Sequence, residues 1–168
     1  MTQEEIVQIV DSNNIPIDAV PRSIMRAQKL IHRACYILVL NRADELFLQK
    51  RTLTKDIYPG YWSVAAGGVV QAGESYEDSA RRELFEELGI TAPLNVLFDH
   101  FYDREDNRVW GRIYWCRHEG PFTLQAEEIE YGEFHSLSQI LEISKKEPVT
   151  PDGIEIIHRL RDEEIDFI

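Results

Sequence analysis

The sequence predicts an α/β domain in which a mixed β-sheet is packed between helices. Runs rich in β-branched and aromatic residues, His32–Leu40 foremost, alternate with stretches of helical apolar spacing. These signals mix irregularly along the chain, which suits one interleaved sheet and helix layer. No internal repeat, low-complexity run or interdomain linker divides the 168 residues, a length that suits one domain spanning 1–168 with a sizeable core.

The elements follow in order. Ile6–Val10 and Pro16–Val20 flank the turn-rich Asp11-Ser-Asn-Asn, so residues 1–21 read as an amino-terminal hairpin. Arg22–Leu30 reads as a short helix with Ser23 as its cap. His32–Leu40 is a buried strand, and a turn at Asn41–Asp44 leads into a second, Glu45–Lys50, with Leu46 and Leu48 on one face. Pro59-Gly60 marks a turn, after which Tyr61–Ala66 is expected to run as a strand into Gly67-Gly68. Leu94–Tyr102 and Val109–Cys116 are two strands around the charged turn Asp103–Arg108, with Trp110, Tyr114 and Trp115 expected in the core. Ser136–Lys146 is a helix capped by Ser136 or Ser138. Thr150-Pro151 begins the last helix, cap then first turn, which runs to about Glu163 and buries Ile154, Ile157 and Leu160.

The stretch Gly68–Ile90 carries the chemistry. Ser75 followed by Asp78 has capping-box spacing, and Glu77 and Asp78 suit the positive end of a helix dipole. Tyr76, Ala80, Leu84 and Leu88 form an apolar stripe, and Gly89 suits a left-handed C-terminal cap. Beside that stripe, Glu83, Glu86 and Glu87 share one arc of the helix. Acidic residues at this spacing are commonly a solvated face. Brought together at the edge of a core, two carboxylates about 4 Å apart repel by roughly 4 kcal/mol at an effective dielectric near 20. Hard divalent ions such as Mg²⁺ or Mn²⁺ take oxygen ligands of this kind and would relieve that repulsion.

Composition narrows the alternatives. The formal charge of −12 disfavours a general electrostatic binder of nucleic acid, while leaving room for a small phosphorylated substrate neutralised by bound cations. The acidic amino terminus has no long apolar run, so neither a signal peptide nor a membrane span is expected. Cys35 and Cys116, each inside an apolar run, read as buried free thiols, which fits a reducing cytoplasm. Lys50, Arg51 and Lys55 form a local basic cluster whose functional reading is diphosphate recognition, with Arg51 and Lys55 positioning the phosphates.

Gly68, five residues, Glu74, seven residues, Arg82-Glu83-Leu84, one residue, Glu86-Glu87, one residue and Gly89-Ile90 together resemble the complete Nudix box. At roughly 7% per position, seven fixed residues coincide by chance on the order of once in 10⁸ starts. The resemblance implies the α/β/α sandwich of that family and a Mg²⁺- or Mn²⁺-dependent hydrolase cleaving the pyrophosphate linkage of a nucleoside diphosphate derivative or related diphosphate. It implies that Glu83, Glu86 and Glu87 hold the ions, with the carbonyl of Gly68. It makes Glu83 a candidate for orienting or deprotonating water, and Glu74 and Arg82 the pair that fixes loop against helix. The acidic run Glu127–Glu133 resembles the family's later segment, which returns a carboxylate to the site; Glu128 is the choice there, with Glu127 and Glu130 as alternatives.

The overall pattern, including the hairpin and Thr150-Pro151-Asp152, is most similar to YfcD-like bacterial Nudix hydrolases, a resemblance compatible with a homodimer but leaving the oligomeric state open. The stretch from His32-Arg33-Ala34 through Gln49-Lys50-Arg51 and Lys55 to Tyr58-Pro59-Gly60-Tyr61-Trp62 also resembles isopentenyl-diphosphate isomerase. Against that activity, Gly67 stands where those enzymes carry a thiol, and Met25 and Val69 where they carry metal-binding histidines; their glutamate pair falls near Asp106 and Arg108. A non-catalytic nucleotide or metabolite sensor is the remaining alternative.

Overall fold

The structure, a computed structural model, describes residues 4–167. Residues 1–3 of the expected hairpin and residue 168 at the end of the expected domain lie outside the described residues. The described residues form strands β1 (Ile6–Val10), β2 (Pro16–Pro21), β3 (His32–Leu40), β4 (Leu46–Arg51), β5 (Trp62–Ser63), β6 (Ala66–Val69), β7 (Asn95–Asp103), β8 (Arg108–Arg117) and β9 (Ile129–His135). The helices are α1 (Arg22–Gln28), α2 (Tyr76–Leu88), α3 (Leu137–Ser144) and α4 (Pro151–Asp162).

β3 is the hub. Its continuous apolar run is explained by burial on both faces, as expected for a strand covered on each side. Cys35, Ile37 and Val39 face one core with Ala80, Leu84 and Leu88 of α2. Leu38 and Leu40 face a second core with Ile140 of α3 and Ile156, Ile157 and Leu160 of α4. β3 pairs in parallel with β8, from His32↔Val109 to Leu40↔Arg117, and antiparallel with β6, from Ala34↔Val69 to Ile37↔Ala66. β7 and β9 extend the sheet by antiparallel pairing to β8 and β4. The result is the mixed sheet between helix layers that the sequence predicts. Among the described residues, no helix is long and apolar enough to cross a membrane.

Several local expectations change. Tyr61–Ala66 is not one strand: β5 and β6 are separate short strands on different partners, β4 and β3. That break moves the chain across the sheet and brings Gly67 to Cys35 and Tyr36. At Gly67, φ is +143° and a Cβ would overlap the Cys35 carbonyl, so only glycine fits. Ser23 does not cap α1. Pro21 occupies the cap, and Ser23 instead donates its backbone N–H to the Glu4 carboxylate at 2.6 Å. The helix also stops at Gln28, where Lys29 turns left-handed (φ 52°). Ile156 takes the fully buried place expected of Ile154, which packs half-buried at the rim of the same core. Ser136 caps α3 in a complete capping box with Gln139. Of the three aromatics on β8, Tyr114 is in the core; Trp110 stacks on Phe101 and Trp115 packs edge-on against Phe167.

Candidate active site

α2 is built as its sequence requires. The Ser75 hydroxyl accepts from the Asp78 N–H at 3.1 Å, and Gly89 closes the helix at φ 69°, ψ 24°, its N–H donating to the Phe85 carbonyl at 2.9 Å. Tyr76, Ala80, Leu84 and Leu88 are all buried, each large side chain contributing about 1.5–3 kcal/mol and together fixing the rotation of the helix. That rotation carries Glu83 and Glu87 to the underside of the β6 loop and leaves Glu86 at the rim, with 45% of its side chain exposed.

Arg82 organises the outer end of this site. Its guanidinium forks onto Glu74, Nε to Oε2 at 2.8 Å and Nη2 to Oε1 at 3.0 Å, and its Nη1 donates to Glu83 at 2.9 Å and Glu86 at 3.2 Å. Glu74 also accepts from the Gln71 N–H at 3.1 Å, so the loop after β6 is tied to α2. Burial works against the Glu74 anion, yet Arg82 and the Gln71 N–H hold its carboxyl below the usual range. Glu83 lies against Gly68: a Cβ on that glycine would come within 2.8 Å of Glu83 Oε1, so the bare backbone makes room for the carboxylate. Glu87 accepts from the Gly67 N–H at 2.9 Å.

Burial pushes the Glu83 carboxyl up to about 7; Arg82 pulls it down and Glu86 adds to the rise. Burial also pushes Glu87 up to about 8, with Glu83 reinforcing the shift against the Gly67 N–H and Lys55. Two carboxyls that resist ionisation at the same place are what a cation would relieve. The donor set, carboxylate oxygens with backbone oxygen at hand, is chemically right for a hard divalent ion. Among the described residues, no three such side chains already converge as a closed cage.

The opposite wall comes from β4 and the loop after it. Phe47, Gln49 and Arg51 alternate with Leu46, Leu48 and Lys50, so the two sets face opposite sides of the sheet. Arg51 reaches the site; its guanidinium donates to the carbonyls of Tyr58 (3.2 Å) and Ile57 (2.8 Å) and to the Ser63 hydroxyl (3.3 Å), all neutral acceptors. Lys50 faces the other way, with its ammonium 5.1 Å from the Trp62 ring and 3.9 Å from Glu147. The expected basic cluster is therefore split by strand alternation. Lys55 is on the site side, paired with Glu128. Glu128 lines a small cavity with Glu87, Arg51 and Lys55, whereas Glu127 and Glu130 are exposed and line neither cavity.

A larger cavity of about 100 Å³ adjoins it through Arg51, Lys55, Ser63, Ala65 and Gly67. Its far wall carries Arg22 and Arg26, both paired to Asp56, and Tyr36, whose hydroxyl donates to Asp152 at 2.7 Å. His32 is also there, 2% exposed; burial lowers its pKa to about 4, and its Nδ1 donates to the Leu30 carbonyl at 3.0 Å. Sequence reasoning assigns no role to Gln49 or Ser63. The available signal is a polar side chain at an inward position of β4, between Phe47 and Arg51.

The positions compared with isopentenyl-diphosphate isomerase are part of the scaffold. Met25 and Val69 pack in one apolar cluster with Val7 and Ile9. Asp106 accepts from the Tyr58 hydroxyl at 2.7 Å, and Arg108 pairs with Asp103 at 2.6 Å. Both cysteines are buried and free, and burial pushes the Cys35 thiol up to about 12.

Comparison with known proteins agrees with this geometry. The NUDIX domain family model matches residues 30–160. A Nudix hydrolase of Pseudomonas aeruginosa is 44% identical over 156 residues, covering 91% of each chain. The Nudix hydrolase YfcD of Escherichia coli K12 is 39% identical over 158 residues, 94% of this chain and 87% of its own. The crystal structure of DR0079 from Deinococcus radiodurans superposes with a TM-score of 0.82 at 23% identity, covering 92% of this chain and 98% of that one, a likeness of fold. With its complete box on α2 and the preceding loop, the chain belongs to the Nudix hydrolase family.

Proposed function

We propose that the protein is a Mg²⁺- or Mn²⁺-dependent hydrolase that cleaves the pyrophosphate linkage of a nucleoside diphosphate derivative or a related small diphosphate. The observation that carries this reading is the pairing of opposed walls. Two carboxyls that repel each other, Glu83 and Glu87, stand on one wall, and Glu87 shares the small cavity with a guanidinium, Arg51, that meets only neutral acceptors. Divalent cations satisfy the first wall and phosphate oxygens the second.

Glu83, Glu86 and Glu87 would hold the ions, with the Gly68 carbonyl as a further oxygen. A divalent ion bound there neutralises a diphosphate and makes nearby water more acidic. The chain's own residues do the rest. Arg82, forked on Glu74, keeps Glu83 and Glu86 together, and Arg51 and Lys55 orient the phosphates. Glu83 or Glu128 takes a proton from the attacking water. The water oxygen bonds to phosphorus as the bridging P–O bond breaks, and the leaving phosphate carries away the electron pair.

The core positions of Met25 and Val69 count against isomerase chemistry, which would require metal-binding side chains there. The test is a hydrolysis screen with Mg²⁺ and Mn²⁺ over nucleoside diphosphate sugars, dinucleoside polyphosphates, coenzymes and nucleotides, with products identified. Phosphoanhydride cleavage that disappears in Glu86→Gln and Glu87→Gln is expected. Tight ligand binding without turnover over the whole panel would replace the hydrolase with a sensor. Unchanged turnover in either variant would reject the ligand assignment.

A further inference from the structure

The small cavity contains a group that the preceding reading does not use. Gln49 is 3% exposed, and its Nε2 has no protein acceptor within hydrogen-bond distance. A buried amide donor without an acceptor destabilises a fold by about 1–3 kcal/mol, and a leucine or methionine at this inward position would avoid that. The neighbouring carboxylates are already engaged, Glu87 by the Gly67 N–H and Glu128 by Lys55. The Gln49 backbone is equally committed, sitting opposite Ser63 on β5 and Gly132 on β9. The side chain is held in place with its donor directed at nothing in the protein.

We propose that the small cavity seats one phosphoryl group of the diphosphate, with Gln49 Nε2 donating to a non-bridging oxygen and the remainder of the substrate in the larger cavity. This rests on the diphosphate reading above. The cavity encloses about 30 Å³, room for about two or three oxygen-sized groups and too little for a sugar or a base. Its lining supplies donors of graded charge: the neutral Gln49 amide, the Arg51 guanidinium and the Lys55 ammonium. The wall it shares with the larger cavity gives a continuous path for a molecule longer than one phosphate. Gln49 is thus a substrate-contacting residue, and it selects a tetrahedral phosphoryl oxygen by a directed donor that adds no charge beside Glu87 and Glu128.

The test uses methylenediphosphonate, a pyrophosphate stand-in with an uncleavable bridge, in the presence of Mg²⁺. Its affinity is measured by calorimetry for the wild type, Gln49→Met and Gln49→Leu. Losing one hydrogen bond to a charged acceptor is expected to weaken binding about tenfold or more. The unliganded Tm is expected to stay level or rise, because the orphaned donor is gone, while the Tm increment produced by the ligand shrinks. A purely structural glutamine would do the reverse. Wild-type affinity in both variants, or a fall of several degrees in their unliganded Tm, would overturn the assignment of Gln49 alone. A wild-type protein that does not bind the probe would overturn the diphosphate reading and this inference with it.

Discussion

The two walls of the cleft are made differently. The acidic wall is local: Glu74, Arg82, Glu83, Glu86 and Glu87 come from one loop and one helix, Arg82 bonds to Glu74, Glu83 and Glu86, and Glu87 accepts from the Gly67 N–H just before that loop. The basic wall is assembled: Arg51 ends β4, Lys55 lies in the loop beyond it, and Arg22 and Arg26 come from α1. Helical periodicity places Arg82, Glu83, Glu86 and Glu87 of the first wall. The second depends on which face of a strand each residue takes and on how the loop after it is tied down. A wall of the first kind survives as a sequence motif, whereas one of the second kind is visible only after folding.

Breaking the acidic wall is expected to have the largest effect. Glu87→Gln should lower kcat roughly 10³-fold, the scale of losing a central electrostatic group, measured in the hydrolysis assay with saturating Mg²⁺. The unliganded protein should keep its fold, because the substitution removes a buried charge. Arg51→Met removes the fixed charge of the opposite wall and three hydrogen bonds, two that hold the 57–58 carbonyls and one to the Ser63 hydroxyl. It should raise KM on the order of 10- to 100-fold, and Arg51→Lys should recover little, since an ammonium cannot reproduce the planar fork. Glu74→Gln leaves the ligands in place but loosens Arg82. Metal affinity read by calorimetry should fall about 10- to 100-fold, as for other groups that orient ligands from behind.

His32 probes the far wall of the larger cavity. Its pKa of about 4 lies below the ordinary value near 6.5, so the unfolded chain takes up a proton first as pH falls. Its contribution is full above about pH 6.5 and is lost between there and about pH 4, by up to roughly 3 kcal/mol. Unfolding midpoints in denaturant should therefore drop across that window, and His32→Gln should flatten the drop. The smallest effect is expected at Lys50, adjacent to Arg51 in sequence but on the other face. Lys50→Met should leave KM within about twofold; a change as large as that of Arg51→Met would mean that the two walls are not separated by strand alternation.

The box could be read before the fold because its geometry is helical and short in range. Ser75, Gly89 and the Tyr76–Leu88 stripe specify the helix and its rotation, and the rotation brings Glu83 and Glu87 together. The same logic recovers β3 and the capping of α3. It fails for Tyr61–Ala66, where composition suggests one strand and the chain instead crosses between two partners. It fails also for Ser23, since Pro21 holds the cap position and the Ser23 backbone N–H goes to the carboxylate of Glu4, remote in sequence. For the basic cluster, proximity in sequence misleads about proximity in space. Gln49 escapes notice because an inward glutamine looks unremarkable until its neighbours are known to be engaged elsewhere.

From the sequence alone come the box helix, its caps and its carboxylate spacing, because hydrogen bonds and periodicity over a few residues determine all of them; the Arg82–Glu74 pair is implied there only by the resemblance to the Nudix box. The tertiary structure decides which charges face the cleft: the Lys55–Glu128 contact, the turning away of Lys50, the exposure of Glu127 and Glu130, and the donor of Gln49 left over a cavity. Those outcomes depend on burial and on partners distant along the chain, and both exist only once β3, β4, β6 and α2 have packed together.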